Sequence, residues 1–321
     1  MLQSIQRCDT KRGERISPVS SFGRQLKRSW MTLTHPCRDG RRIEVIDSQT
    51  VLVEYGPMRM SIQALDYGKP LIDLALKGGR MAFRVLEDLA PFLPVLKKKA
   101  LRLDVEASFP EVVRRMVEAC KRMEVQDLTP MAAVAGASSD MVADFLISEG
   151  GTKIIVDNGG DVAIRLKEDE EVRVGIKTGV DAKKPGCLLV INSRMGVGGV
   201  ATSGIGGRSF TKGIASAVTV LSENASLADA AATVIGNATY VEDLSVKRCL
   251  PETVYPDTDI PGEWVTESVG ELSPQRIEEA LEKGLAEAYR IYRKGHIKGA
   301  FIAVKGKAAW TDSIHPWLRK L

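Results

Sequence analysis

The segment KIIVDNGGDVAIRL, residues 153–166, limits the fold more than any other stretch of the chain. Two alternating apolar runs flank Asn158-Gly159-Gly160. Alternation with period two marks a strand with one buried face, and Asn-Gly between two such runs is the strongest short-range signal for a hairpin. A hairpin makes its strands antiparallel neighbours, so the chain cannot be a strict alternation of strand and crossover helix.

The same punctuation recurs along the chain. Residues 41–65 (RRIEVIDS, TVLVEYG, RMSIQAL) read as a meander turning at Asp47-Ser48 and Gly56-Pro57. EVRVGIKT, LLVIN and ASAVTVLS read as further strands, and KGAFIAVKGKAAW as a closing hairpin with Lys305-Gly306 at its turn. Helical periodicity appears over residues 71–96, broken near its end by Pro91 and Pro94. It returns after Pro110, with Val113, Met116, Val117 and Cys120 on one face. MAAVAGASSDMVADFLISEG is a helix rich in small residues, with Gly150-Gly151 as its stop. A last helix follows the N-cap Ser273, with Ile277, Leu281, Leu285 and Ala288 on one face. Strands grouped around long helices predict the α+β class. Residues 195–209 read as a glycine-rich connector and 241–272 as irregular.

Hydrophobic residues at 44% and charged residues at 27% are those of a soluble globular protein. No run approaches the eighteen or so apolar residues of a membrane span, so no membrane partner is expected. The first residues lack the apolar centre of a secretory signal, so a cytoplasmic location is expected. The net charge of +4 comes from the start of the chain, where residues 1–40 hold eight Lys/Arg against three Asp/Glu. Residues 1–30 are therefore read as a disordered basic arm and 31–321 as one domain. No basic patch interleaved with aromatics supports nucleic-acid binding elsewhere. The five cysteines form no CxxC pair and the three histidines are scattered, which excludes the usual zinc sites.

Three stretches admit a functional reading beside a structural one. Asn158, Gly159, Gly160 and Asp161 are either a plain hairpin turn or a place where a ligand approaches bare backbone. GVGGVA at 196–201 is a loose dinucleotide fingerprint, but the glycines that follow deny it the helix such a site needs. The connector is then a bulged loop, or an anion-binding nest with Thr202 and Ser203. In SENASLADAAATVIGN, residues 222–237, Ser226 as N-cap would put Asp229 at N3 in a capping box, with Thr233 bonding back to the carbonyl of residue 229. The same spacing lets Asp229 and Thr233 converge on a hard cation such as Mg²⁺.

Taken together, AAVAGASSDMVADFLISEGGTKIIVDNGGDVAI, VATSG and SAVTVLSENASLADAAATVIGN resemble the ApbE family, the FAD:protein FMN transferases. The resemblance runs from about residue 41 to the final hairpin, and is strongest to a prokaryotic branch without a lipoprotein signal. It implies a duplicated T-fold of mixed or antiparallel sheets with long packed helices. It implies a Mg²⁺ site made by Asp229, Thr233 and a backbone carbonyl near Val134. It also implies a nucleotide (FAD) site lined by Asn158, Gly159, Gly160, Asp161, Thr202, Ser203, Gly204 and Arg208, and an acceptor protein; a homo-oligomer is compatible with the sequence, which does not give the oligomeric state. Two departures bear on activity. The family's H-x-x-D-P after T-S-G is absent, leaving Arg208 and Lys212 as the charges there, and Ala135 stands where the family has a lysine. Both losses weaken diphosphate binding and acid–base assistance. The branch also implies an alternative, a non-flavin accessory role in sulfur mobilisation for homocysteine synthesis, although no paired cysteines stand ready to carry sulfur.

Overall fold

The computed structural model describes residues 40–176 and 186–320. The arm assigned to residues 1–30 lies outside them. The chain opens with the meander β1 (Arg42–Val45), β2 (Thr50–Tyr55) and β3 (Met58–Asp66), followed by the short β4 (Lys69–Pro70). Helices α1 (Ile72–Leu89), α2 (Leu93–Leu96), α3 (Glu111–Arg122) and α4 (Val134–Ser148) come next. Then follow β5 (Lys153–Asp157), β6 (Val162–Leu166), β7 (Glu171–Ile176), β8 (Cys187–Asn192), β9 (Gly199–Ser203) and β10 (Ala217–Ser222). Helix α5 (Ala225–Ala238), β11 (Val246–Cys249), β12 (Val265–Val269), α6 (Pro274–Arg293), β13 (Gly299–Val304), β14 (Lys307–Trp310) and β15 (Leu318–Lys320) complete the chain.

Ten strands form one sheet in the order β1-β2-β3-β5-β6-β9-β10-β13-β14, with β4 on β3. All of its pairings are antiparallel. The order contains one unit twice. In each half a hairpin (β2-β3, then β9-β10) is followed by helices and a second hairpin (β5-β6, then β13-β14). The inner strands pair alike, Ile62 opposite Val156 in the first half and Val218 opposite Ile302 in the second. The halves meet where β6 pairs with β9, Val162 opposite Val200. This is the α+β, duplicated architecture expected, with antiparallel pairing.

Helices α1, α4, α5 and α6 lie in a row against the sheet, each touching the next. Position in the row explains composition. At one end α6 buries a single stripe of Ile277, Ala280, Leu281, Gly284, Ala288 and Ile291. Inside the row, α5 is covered by sheet and by neighbouring helices and is buried almost all round, which its alanines permit. Leu146 of α4 and Leu227 of α5 are fully enclosed, each contributing about 1.5–3 kcal/mol by burial. Residues Pro130–Ser148 are apolar and long enough to cross a membrane by length and composition, contrary to the sequence reading, but half of that span is buried between other elements, as in a core helix.

Two connector assignments change. The glycine-rich stretch contains β9, and its glycines serve contact: a Cβ on Gly199 would lie 2.2 Å from the Ala225 nitrogen at the start of α5. Residues 241–272 contain the two-stranded sheet β11-β12.

Candidate functional site

The site grows from the way α4 and α5 begin. Asn224, not Ser226, caps α5: its Oδ1 accepts the Leu227 N–H at 2.8 Å. The capping box expected of Ser226 and Asp229 is therefore not formed. Asn is as good a cap as Ser, and Asp140 of α4 takes the next two donors, the N–H of Ala225 at 3.0 Å and of Ser226 at 2.8 Å. Asp229 is released from its own helix end. It turns to the first turn of α4, where it accepts the N–H of Gly136 at 3.0 Å and that of Ala135. Each helix thus carries an aspartate that caps the other. Residue 136 has to be glycine, because a Cβ there would lie 2.2 Å from the Ala225 carbonyl oxygen and 2.9 Å from the Asp229 Cβ.

Thr233 lies one turn beyond Asp229 on the same face. Its hydroxyl has no hydrogen-bond partner among the described residues, so the expected bond to the carbonyl of residue 229 is absent. The Val134 carbonyl already accepts the Ser138 hydroxyl at 2.7 Å.

The β5–β6 turn stands beside this pair. Asp157 Oδ1 accepts the Gly160 N–H at 2.7 Å, and Gly159 and Gly160 take φ of +78° and +108°, which only glycine adopts easily. The Asp161 carbonyl accepts the Ser139 hydroxyl of α4 at 2.9 Å, and its carboxylate accepts the Thr202 N–H. Thr202 is exposed on β9, its hydroxyl 3.0 Å from that of Thr219. Ser203 follows half-buried, and Gly204 has φ +151° with no room for a side chain. The Arg208 guanidinium covers the turn, donating to the Asn158 carbonyl, to Asn158 Oδ1 at 3.4 Å and to the Pro57 carbonyl at 3.4 Å. Lys212 is committed elsewhere, to Asp127 and to Glu263 at 3.1 Å.

Electrostatics set this corner apart. Burial pushes Asp229 up to about 7, against the pull of the Gly136 and Ala135 N–H groups and of Arg208. Burial, reinforced by the charge of Asp229, holds Asp161 well above the usual carboxylate range. Burial raises Asp157 too, opposed by the Gly160 N–H. These are carboxylates short of positive charge. Among the described residues no group of three or more acidic, histidine or cysteine side chains is arranged to hold a metal, so the Asp229 carboxylate and the partnerless Thr233 hydroxyl would supply only part of a hard cation's oxygen shell.

Three residues that sequence reasoning did not single out complete the picture: Asp140, Asp144 and Arg165. Arg165 of β6 donates to Asp140 at 2.9 Å and to Asp144 at 2.6 Å. The four-residue spacing of Asp140 and Asp144 repeats that of Asp229 and Thr233, a signal present in the sequence. A separate cleft of about 220 Å³ is lined by Arg115, Arg122, Asp140, Asn224 and Ser226, and its lining does not include Asp229 or Thr233. Cys120 is buried, its thiol donating to the Thr129 carbonyl at 3.3 Å; burial first, then the charges of Asp229 and Asp259, push it well up.

The family model described as AbpE bacteria matches residues 43–310. The chain belongs to that family. Among its relatives is a UPF0280 protein of Methanosarcina barkeri, 44% identical over 139 residues, 43% of this chain and 53% of that protein. A UPF0280 protein of Methanococcus maripaludis is 30% identical over 206 residues, 62% of this chain and 81% of that protein. The chain spans about half the length of the first curated relatives it matches. Among solved structures, the flavin transferase ApbE of Vibrio cholerae aligns at 14% identity and a TM-score of 0.48, covering 86% of this chain and 99% of that one. The flavinyl transferase ApbE of Pseudomonas stutzeri aligns at 15% identity and a TM-score of 0.48, covering 86% and 97%.

Proposed function

We propose that this chain binds a flavin dinucleotide with a divalent cation and transfers FMN to a hydroxyl of an acceptor protein. The observation that carries the reading is the Asp229–Thr233 pair: a half-buried carboxylate that burial raises to about 7, one helical turn from a hydroxyl without a partner. Family membership supports it, since its solved structural neighbours are titled flavin transferases.

Asp229 and Thr233 would hold Mg²⁺, which when bound acts as Lewis acid on the phosphoryl oxygens. The chain's own residues do the rest. The N–H groups of Ala135 and Gly136 fix the Asp229 carboxylate. Gly159 and Gly160 carry no side chain of their own and the Arg208 guanidinium lies over Gly159, so a nucleotide would reach the backbone there only as that guanidinium turns to meet it. Arg208 supplies the nearby positive charge for a diphosphate. With no histidine after Thr202, Ser203 and Gly204, the acceptor hydroxyl must lose its proton to another base. Asp161, beside Asp229 and held by the Thr202 N–H, is the carboxylate placed to take that proton. The acceptor oxygen then bonds to the FMN phosphorus as the bond to AMP breaks.

The non-flavin sulfur role has less support. Cys120 and Cys187 are buried, and the raised Cys120 thiol is the reverse of a reactive thiolate. Calorimetry with FAD and Mg²⁺ tests the flavin reading. Wild type is expected to bind and Asp229→Asn to lose binding; wild-type protein that neither binds FAD nor labels an acceptor would end it.

A further inference from the structure

Arg208 differs from the other enclosed cations near the site. Arg165 pairs with Asp140 and Asp144, Arg115 with Glu111 and Asp144, and Lys212 with Asp127 and Glu263. Among the described residues Arg208 has no carboxylate partner. Its acceptors are the carbonyls of Pro57 and Asn158 and the Asn158 amide oxygen. Such neutral oxygens hold a guanidinium less strongly than carboxylate or phosphate does. Its charge nevertheless acts on Asp157, Asp161 and Asp229 alike. It is carried just after Gly204, Gly206 and Gly207, while the ion pairs of Lys212 anchor the far end of the loop.

We propose that Arg208 is an exchangeable counter-ion that couples divalent-cation binding at Asp229 to diphosphate binding over the Asn158-Gly159 turn. The inference rests on the reading of Asp229 and Thr233 as a cation site. In the free protein the guanidinium partly neutralises the aspartates and repels an incoming cation. A diphosphate removes the conflict, because it offers oxygens to the cation and to the guanidinium fork together. Cation and diphosphate then bind with positive, reciprocal coupling.

Mn²⁺ binding read by electron paramagnetic resonance, with and without ADP as the diphosphate probe, tests this in wild type, Arg208→Gln and Asp229→Asn. Arg208→Gln is expected to bind Mn²⁺ alone about three- to tenfold more tightly and Mn²⁺ with ADP about tenfold more weakly, collapsing the coupling. A role confined to propping the turn would move both affinities the same way or neither, and either result overturns the proposal. Wild type that binds no Mn²⁺ under either condition overturns the cation site as well. Wild type that binds, with Asp229→Asn silent and Arg208→Gln unchanged, overturns the exchange alone. If Arg208→Gln fails to fold by circular dichroism, Arg208→Lys decides. It keeps the charge but not the fork, so it should match wild type for Mn²⁺ alone and weaken Mn²⁺ with ADP; equal affinity with ADP overturns the proposal.

Discussion

Asp140 and Asp144 stand four residues apart on α4, as Asp229 and Thr233 do on α5, and Asp140 and Asp229 each cap the other helix. The first pair is closed by Arg165, whose guanidinium also donates to the Ile164 carbonyl at 3.0 Å and the Gly198 carbonyl at 2.7 Å. The second pair has no bonded cation among the described residues, and Arg208 reaches it only through space. The difference shows in titration. Burial pulls Asp144 upward, but the hydrogen bonds and charges of Arg165 and then Arg115 together outweigh it and hold the group below its usual value. Burial carries Asp229 up to about 7. One helix-start device therefore has two outcomes. Where the chain brings its own cation the pair is a brace, and where it does not the pair is open to a ligand.

Removing that cation should have the largest effect. Arg165 is mostly enclosed and Asp140 wholly so, and breaking a buried pair from one side costs about 3–5 kcal/mol. Arg165→Met is expected to lower the urea-unfolding free energy by that amount. A loss under about 1 kcal/mol would mean that the guanidinium does not close the α4 pair. Asp229→Asn should behave in the opposite sense. Its amide oxygen can still accept the Gly136 N–H and only the Ala135 bond is exposed to loss, so stability should fall by no more than about 1.5 kcal/mol. Mn²⁺ affinity should fall by about 2–3 kcal/mol, the cost of removing one charge of an enclosed pair. If Asp229→Asn unfolds the protein as readily as Arg165→Met, the two pairs are the same kind of feature. Gly136→Ala strikes the contact both pairs share. The new methyl meets a main-chain carbonyl that cannot yield, so about 1–3 kcal/mol of stability should be lost, and Mn²⁺ affinity with it. Thr233→Val keeps shape and removes only a neutral oxygen, so Mn²⁺ affinity should drop by about 1 kcal/mol with the unfolding midpoint unchanged.

Local chemistry was legible in the sequence, and chemistry between distant elements was not. Asn158-Gly159-Gly160 announced the β5–β6 hairpin, and Lys305-Gly306 the β13–β14 hairpin, because the positive φ values they adopt are decided within the turn. Ser273 was visible as the α6 cap for the same reason. The cap of α5 went to Asn224 because several good capping residues stand together, and the winner depended on Asp140, which lies more than eighty positions away. β9 was hidden because its glycines look like flexibility when they serve a close approach to Asn224 and Ala225. For the site, Asp229 and Thr233 were singled out by spacing and by resemblance. Their contrast with Asp140 and Asp144 required knowing that Arg165 reaches one pair and not the other, which no local pattern encodes.

The smallest effect expected is in pH dependence, and it separates the two pairs by sign. Asp144 is held below its usual pKa in the fold, so its contribution is complete above the ordinary carboxylate range and is lost as pH falls. Asp229 is held above its usual value. Between the unfolded value of 3.8 and the folded value of about 7 the native state binds more protons than the unfolded one, so stability declines as pH rises through that window. Urea-unfolding midpoints taken between about pH 5 and pH 8 should therefore slope downward in wild type. Asp157 and Asp161 are raised by burial as well, so Asp229→Asn should make the slope shallower without abolishing it, and saturating Mg²⁺ should do the same by giving the ionised carboxylate the charge it lacks. A wild-type slope left unchanged by both would place its origin outside this pair, and Asp229 would then be no more open than Asp144.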